Sequence, residues 1–168
     1  MDNKLRFQFE LSHNIQQNET NSEIWGCISI SLLTDHQLVS LLQTQWDLSG
    51  LKAWFEENQD FIRSEVLSID GSSPLPSESL AQALNRLQEK EFSENEQDAE
   101  DHWFDALFEF RQRHSLRFAL RGANIPEIII GYHRGAGEIS LSNREDDWSY
   151  LFDMDDFISD LRQKLIYT

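Results

Sequence analysis

The chain opens with strict alternation: Leu5, Phe7, Phe9 and Leu11 are interleaved with Lys4, Arg6, Gln8 and Glu10. That is the period of a strand with one buried face. Residues 12–22 break it with Asn and Gln side chains from Asn14 to Asn18 and no apolar pattern after Ile15, which predicts a polar loop. A second strand is predicted from Glu23 to about Leu33, with Ile24, Ile28, Ile30 and Leu32 on one face. A long hairpin loop suffices to join the two as an antiparallel pair.

Helical spacing follows. Thr34 or Asp35 can cap a short helix carrying Leu38, Leu41 and Leu42, and Asp47 or Ser49 can cap the next, with Leu51, Trp54, Phe55, Phe61 and Ile62 as its stripe. The segment Asp70-Gly71-Ser72-Ser73-Pro74-Leu75-Pro76 reads as a turn or linker and is the strongest internal break. Beyond it, Ser77 precedes a helix with Leu80, Ala83, Leu84 and Leu87 on one face. A longer helix is predicted from about Asn95 to Arg113. Its core stripe is Ala99, Trp103, Ala106, Leu107 and Phe110, and Phe104 and Phe108 lie further round. Those two rings either meet a second layer of the domain or face a partner.

The last third reads as strands. Leu116, Phe118 and Leu120 alternate with Arg117, Ala119 and Arg121, and Glu127 to Tyr132 contains an Ile128-Ile129-Ile130 run suited to a strand buried on both faces. Arg134-Gly135-Ala136-Gly137 supplies a turn into Glu138 to Ser142, and Trp148, Tyr150 and Phe152 mark a fourth strand. A closing helix has Asp153 at its N-cap, Asp156 at N3 and a Phe152–Phe157 staple, with Met154, Phe157, Ile158, Leu161 and Leu165 as its buried stripe. Strands and helices are segregated in the order ββ-ααα(α)-ββββ-α. That predicts an α+β fold with one antiparallel sheet of about five to six strands covered by helices. The length fits a single domain over residues 1–168, with a candidate internal break near 70–76.

Composition confirms a folded chain: 39% of residues are apolar, including eleven Phe and five Trp. No run approaches a membrane span and the polar N-terminus does not read as a signal peptide. Cys27 is the only cysteine, so no internal disulfide forms, and the cytoplasm is the expected compartment. Cys27 sits in an apolar run and is expected to be packed.

Charge changes the picture most. The net charge is −16, concentrated in two stretches. Residues 89–101 carry Glu89, Glu91, Glu94, Glu96, Asp98, Glu100 and Asp101 against Lys90 alone. Residues 145–160 carry Glu145, Asp146, Asp147, Asp153, Asp155, Asp156 and Asp160 with no Lys or Arg. Such a chain repels nucleic acid and anionic membrane and attracts a cationic partner.

Catalytic and metal motifs are not found. The five histidines, His13, His36, His102, His114 and His133, have no zinc-helix spacing, and His114 follows Arg111 and Arg113 as a helix C-terminal cation. Ile158 and Lys164 stand where a calcium loop starting at Asp153 needs Gly and Glu. Gly131, Gly135 and Gly137 lack the Gly-Lys-Ser/Thr of a phosphate loop. Arg111, Arg113, Arg117 and Arg121 form a local basic segment, suited to a solvated strand face or to pairing with the acidic stretches. No cofactor and no metal are expected.

From about Asp101 to Leu165 the chain resembles small bacterial proteins of toxin systems. The resemblance is carried by the Trp103-to-His114 segment, Leu116 to Gly122, Pro126 to Gly131, Gly137 to Ser140 and Phe152 to Phe157. It is similar in style to immunity proteins of contact-dependent growth inhibition and other polymorphic toxin systems. The resemblance implies a cytoplasmic non-enzyme that binds one cognate toxin domain, a basic nuclease, and occludes its active site. An acidic adaptor or regulatory module binding another basic protein is the alternative, and an enzyme of unrecognised type the third. The expected contact residues are Glu94, Glu96, Asp98, Glu100, Asp101, Phe104, Phe108, Asp146 and Asp147, with 94–101 favoured over 145–147.

Overall fold

Why the acids end up where they do follows from how two small sheets share the helices. The computed structural model describes residues 3–11 and 24–165; the polar loop expected at 12–22 and His13 lie outside them. Strand β1 (Lys4–Leu11) pairs antiparallel with β2 (Trp25–Leu33) in the expected arrangement, from Lys4 opposite Leu33 to Leu11 opposite Gly26. Leu5, Phe7, Ile28, Ile30 and Leu32 are buried on the shared face.

Residues 38–47 are a strand, β3 (Leu38–Asp47), and not the expected short helix. Thr34 does cap, but it caps a hairpin turn: its hydroxyl accepts from the Gln37 N–H at 3.1 Å, and the Thr34 N–H donates to the Gln37 carbonyl at 3.0 Å. The register slips between Ile30 and Ser31, which pair with Leu42 and Ser40, leaving Leu41 as an extra residue. That bulge turns the strand's spacing of two into a spacing of three between Val39 and Leu42, so the segment imitates a helix in sequence. The order of the first sheet is β1-β2-β3.

Helix α1 (Leu48–Ser64) begins as expected on Asp47, whose carboxylate accepts from the N–H groups of Ser49 and Gly50. Leu51, Trp54, Phe55 and Ile62 are buried, whereas Phe61 is exposed with the Arg113 guanidinium over its ring. The break at 70–76 contains a tight turn: Asp70 and Gly71 both have positive φ, and Ile69 and Ser72 exchange two backbone hydrogen bonds. Asp-Gly tolerates that left-handed pair of conformations.

Helix α2 (Leu80–Gln88) starts at Ser79, two residues beyond the expected Ser77, with a reciprocal capping box between Ser79 and Gln82. Its first two N–H groups are satisfied from across the fold. Leu80 donates to the buried Glu138 carboxylate at 2.6 Å and Ala81 to the Ser140 hydroxyl at 3.2 Å. Helix α3 (Gln97–His114) buries Trp103, Leu107 and Phe110, while Ala99, expected in the stripe, is exposed.

The 116–121 segment is a single-turn helix, α4 (Leu116–Ala119), where a strand was expected. Ser115 caps it, and the buried set Leu116, Ala119 and Leu120 has helical spacing. Leu116 and Leu120 fit both periods, Phe118 fits that of a strand alone, and capping selects the helix. Strands β4 (Ile129–His133), β5 (Ala136–Ser142) and β6 (Asp147–Phe152) then form the second antiparallel sheet, with Arg134 and Gly135 at positive φ in the tight turn between the first two. Helix α5 (Met154–Leu165) closes the described chain.

The fold is therefore α+β, but the six strands of the described residues form two three-stranded sheets and not the single expected sheet. Asn3 links them by hydrogen bonds: its carbonyl accepts from the Asp153 N–H and its side chain donates to the Leu151 carbonyl. The isoleucine run is buried on both faces as expected. Ile128 and Ile130 join the core shared by the first sheet, α1 and α5, and Ile129 joins a second core with α2 and α3.

The start of α5 matches its local signals. Asp153 Oδ1 accepts from the Asp156 N–H at 2.9 Å, and the Phe152 and Phe157 rings lie 5.4 Å apart. Asp153→Ala is expected to cost roughly 0.5–2 kcal/mol, read as a lower urea midpoint; an unchanged midpoint would remove the capping role.

Candidate functional site

Two stretches of similar composition acquire different surroundings in the fold. In α5 the acids are used internally. Asp155 pairs with Arg63 at 2.8 Å, Asp156 with Arg6 and Lys4, and Asp160 with Lys164 at 2.7 Å. The Arg6 hydrogen bond holds the Asp156 carboxyl below the ordinary Asp range. Ahead of that helix, Glu145 and Asp146 are exposed, and Asp147 accepts from Gln82 Nε2 at 2.8 and 3.1 Å.

Among the described residues, the acids of 89–101 lie within 4 Å of no Lys or Arg nitrogen. Lys90, the one cation there, turns inward over the Trp103 ring, 3.7 Å from its centroid, and over Phe92 at 4.6 Å. Glu89, Glu91, Glu94, Asp98 and Asp101 are exposed, and Glu100 is half-buried. Glu96 is partly structural: it accepts from the Ser93 hydroxyl at 2.6 Å and the Ser93 N–H at 3.1 Å, which lowers its pKa. Asp98 and Glu100 also complement the N-terminal dipole of α3.

The two acidic surfaces leave the fold from the same end. Gln82 reaches Asp147 and Asn85 reaches the Ser142 carbonyl, so α2 runs alongside β5 toward the 143–147 turn. The C-terminal end of α2 then leads into 89–96. Trp103 fixes that segment: its Nε1 donates to the Leu87 carbonyl at 2.9 Å and its ring meets Phe92 edge-on at 6.1 Å.

Of the two extra rings on α3, Phe104 is half-buried against Phe92, whereas Phe108 is 52% exposed and meets Phe118 edge-on at 5.6 Å. Asp101, Phe104 and Phe108 fall on one strip of the helix, since seven residues return to within about 20°. Phe108 and Phe118, with Arg111, Arg117 and Arg121, line a concavity of about 670 Å³.

Sequence reasoning missed Glu65. It is the C-cap of α1 and accepts from Arg113 at 2.9 and 2.7 Å and from His114 Nε2 at 2.8 Å. His114 is fully buried, stacked on Phe110, with Nδ1 2.9 Å from the Ile130 carbonyl. Its two ring nitrogens thus face a carboxylate and a backbone carbonyl. Burial pushes the Glu65 carboxyl up, but the His114 and Arg113 hydrogen bonds outweigh it and the pKa falls to about 2. His114 stands in the last turn of α3, as expected, and with both nitrogens engaged it holds α1, α3 and β4 together. No signal in the sequence links Glu65 to a residue so far along the chain.

Cys27 is half-buried, with Gln43 Nε2 3.6 Å from its sulfur, and not packed in the core. Among the described residues no three His, Cys, Asp or Glu side chains group to hold a metal ion, and no helix is long and apolar enough to cross a membrane. Comparison with known proteins finds no matching family model, no matching curated protein and no matching solved structure.

Proposed function

We propose that this chain is an immunity protein of a contact-dependent growth inhibition or related polymorphic toxin system, acting in the cytoplasm. Its partner is a basic toxin domain of nuclease type, whose active site it occludes by presenting carboxylates where the toxin binds phosphates. The observation that carries the reading is the acid-dense surface of 89–101, which Trp103 holds in place and whose carboxylates have no Lys or Arg nitrogen within 4 Å among the described residues. Acids that stabilised only the fold would be paired as those of α5 are. Unpaired like charge raises the energy of the free protein through self-repulsion, which a cationic partner relieves.

The test uses the toxic domain encoded by the neighbouring reading frame. Association followed by stopped-flow fluorescence should exceed the unassisted ~10⁵–10⁶ M⁻¹s⁻¹ and fall as ionic strength rises. Reversing Glu94 and Asp101 to Lys should slow it at low salt while leaving the melting temperature little changed; Glu96 is spared because it ties the 93–96 turn and Asp98 because it complements the α3 dipole. A rate indifferent to salt and to the reversal would sink the proposal.

A further inference from the structure

A pocket rich in arginine stands out on so acidic a chain. Thirty Asp and Glu against fourteen Lys and Arg make a carboxylate neighbour easy to find, and Arg63, Arg86 and Arg113 each have one. In the concavity beside α4 only Arg111 has one, Glu127 at 3.4 Å. Arg117 and Arg121 are exposed and, among the described residues, lie within 4 Å of no carboxylate. The Nε of Arg111 is buried without a hydrogen-bond partner, and the side chain lines the concavity.

Aromatic surface accompanies these donors. Arg121 lies over Phe118, 5.4 Å from its centroid, and Phe108 stands exposed against the same ring. The wall is held in place by Gly122 at φ 96°, where a Cβ would meet the Trp46 ring at 2.9 Å. Exposed aromatics beside arginines are the side chains that dominate protein interfaces.

We propose that this concavity is a docking site for an acidic segment carrying an aromatic side chain, belonging to the same protein partner that meets 89–101. The inference rests on the chain acting by binding one such partner. Two observations favour a protein segment over a small anion. The pocket is continuous with the strip of Asp101, Phe104 and Phe108, and that strip runs from the acidic end of α3 toward its basic end. A partner seated on the acids therefore extends over Phe108 and reaches the arginines. Opposite charges at the two ends also fix its orientation, because a reversed approach sets like against like.

The probe is a fluorescein-labelled synthetic peptide with one tryptophan flanked by aspartate and glutamate, followed by fluorescence anisotropy at low ionic strength. Saturable binding is expected, against the repulsion of a −16 protein. It should weaken by about tenfold or more in Arg117→Glu/Arg121→Glu and in Phe108→Ala. The distal Arg144→Glu should leave it unchanged. These side chains are exposed, so melting temperatures near the parent's are expected; should the charge reversal fail to fold, Arg117→Gln/Arg121→Gln replaces it. Absence of saturable binding, equal binding by the arginine variants, or displacement by adenosine monophosphate but not by unlabelled peptide would overturn the proposal. No toxin enters this experiment, so its failure leaves the 89–101 surface standing, and failure of the toxin association leaves a positive peptide result intact.

Discussion

Glu65→Ala is expected to lower the free energy of unfolding by about 1–3 kcal/mol, the cost of leaving the donors of a partly buried network without their acceptor. Arg113 would lose both of its short bonds to that carboxylate, and His114, fully buried, would keep only the Ile130 carbonyl. The shape cannot relax cheaply on the far side of the ring. The Phe110 ring lies parallel to the imidazole at 4.0 Å, and a Cβ at Gly131 would already stand 2.8 Å from His114 Nδ1. The same carboxylate sets an acid limit. Its folded pKa of about 2 lies below the ordinary Glu value of 4.5, so its stabilisation is fully present above the unfolded value. That contribution drains away as the pH falls from about 5 toward 2. Urea midpoints of the parent should drop over that window more steeply than those of Glu65→Gln. Parallel pH profiles would show that the carboxylate contributes nothing through its charge.

Trp103→Ala is the second large effect, about 3–5 kcal/mol for emptying a buried indole site. The indole is the centre of the smaller core, among Leu84, Leu87, Leu107 and Phe110, and carries the bond to the Leu87 carbonyl. It also places the acids, since Phe92 and Lys90 fold the segment after α2 back onto its ring. The alanine variant should therefore lose amide-exchange protection at 88–96 as well as stability. Trp103→Phe keeps most of the ring surface and should cost less, roughly 1 kcal/mol for the lost hydrogen bond plus its cavity. Retained protection of 88–96 in a folded Trp103→Ala protein would separate the acidic surface from this core.

Placement of the acids illustrates what a sequence can and cannot say about a surface. The two stretches read alike in composition. In the fold, Asp155, Asp156 and Asp160 meet Arg63, Arg6, Lys4 and Lys164, whose positions span nearly the whole chain. The stretch at 89–101 meets none. Preference for 94–101 could be argued from the neighbouring aromatic helix, but the pairing that distinguishes the stretches depends on residues no local window contains. Phe108 shows the same dependence. Its position on the helix was evident, while its exposure, and the arginines around it, follow from the way α4 turns back.

By itself the sequence determined the elements whose signals are local. The β1 alternation, the Asp47 and Asp153 caps, the Phe152–Phe157 staple, the stripes of α2 and α5, that of α1 apart from the exposed Phe61, and the Asp70-Gly71 and Arg134-Gly135 turns are all settled within a few residues of themselves. Tertiary structure alone decided the ambiguous segments. Residues 38–47 form a strand because β2 offers them an edge and a bulge absorbs their spacing, and 116–119 turn away from the sheet where the Leu116 N–H donates to the Ile128 carbonyl. It also divided six strands between two sheets and assembled Glu65, Arg113 and His114. Periodicity and capping are short-range constraints, whereas strand pairing and buried charge are satisfied only by a partner, and the chain folds until each has found one.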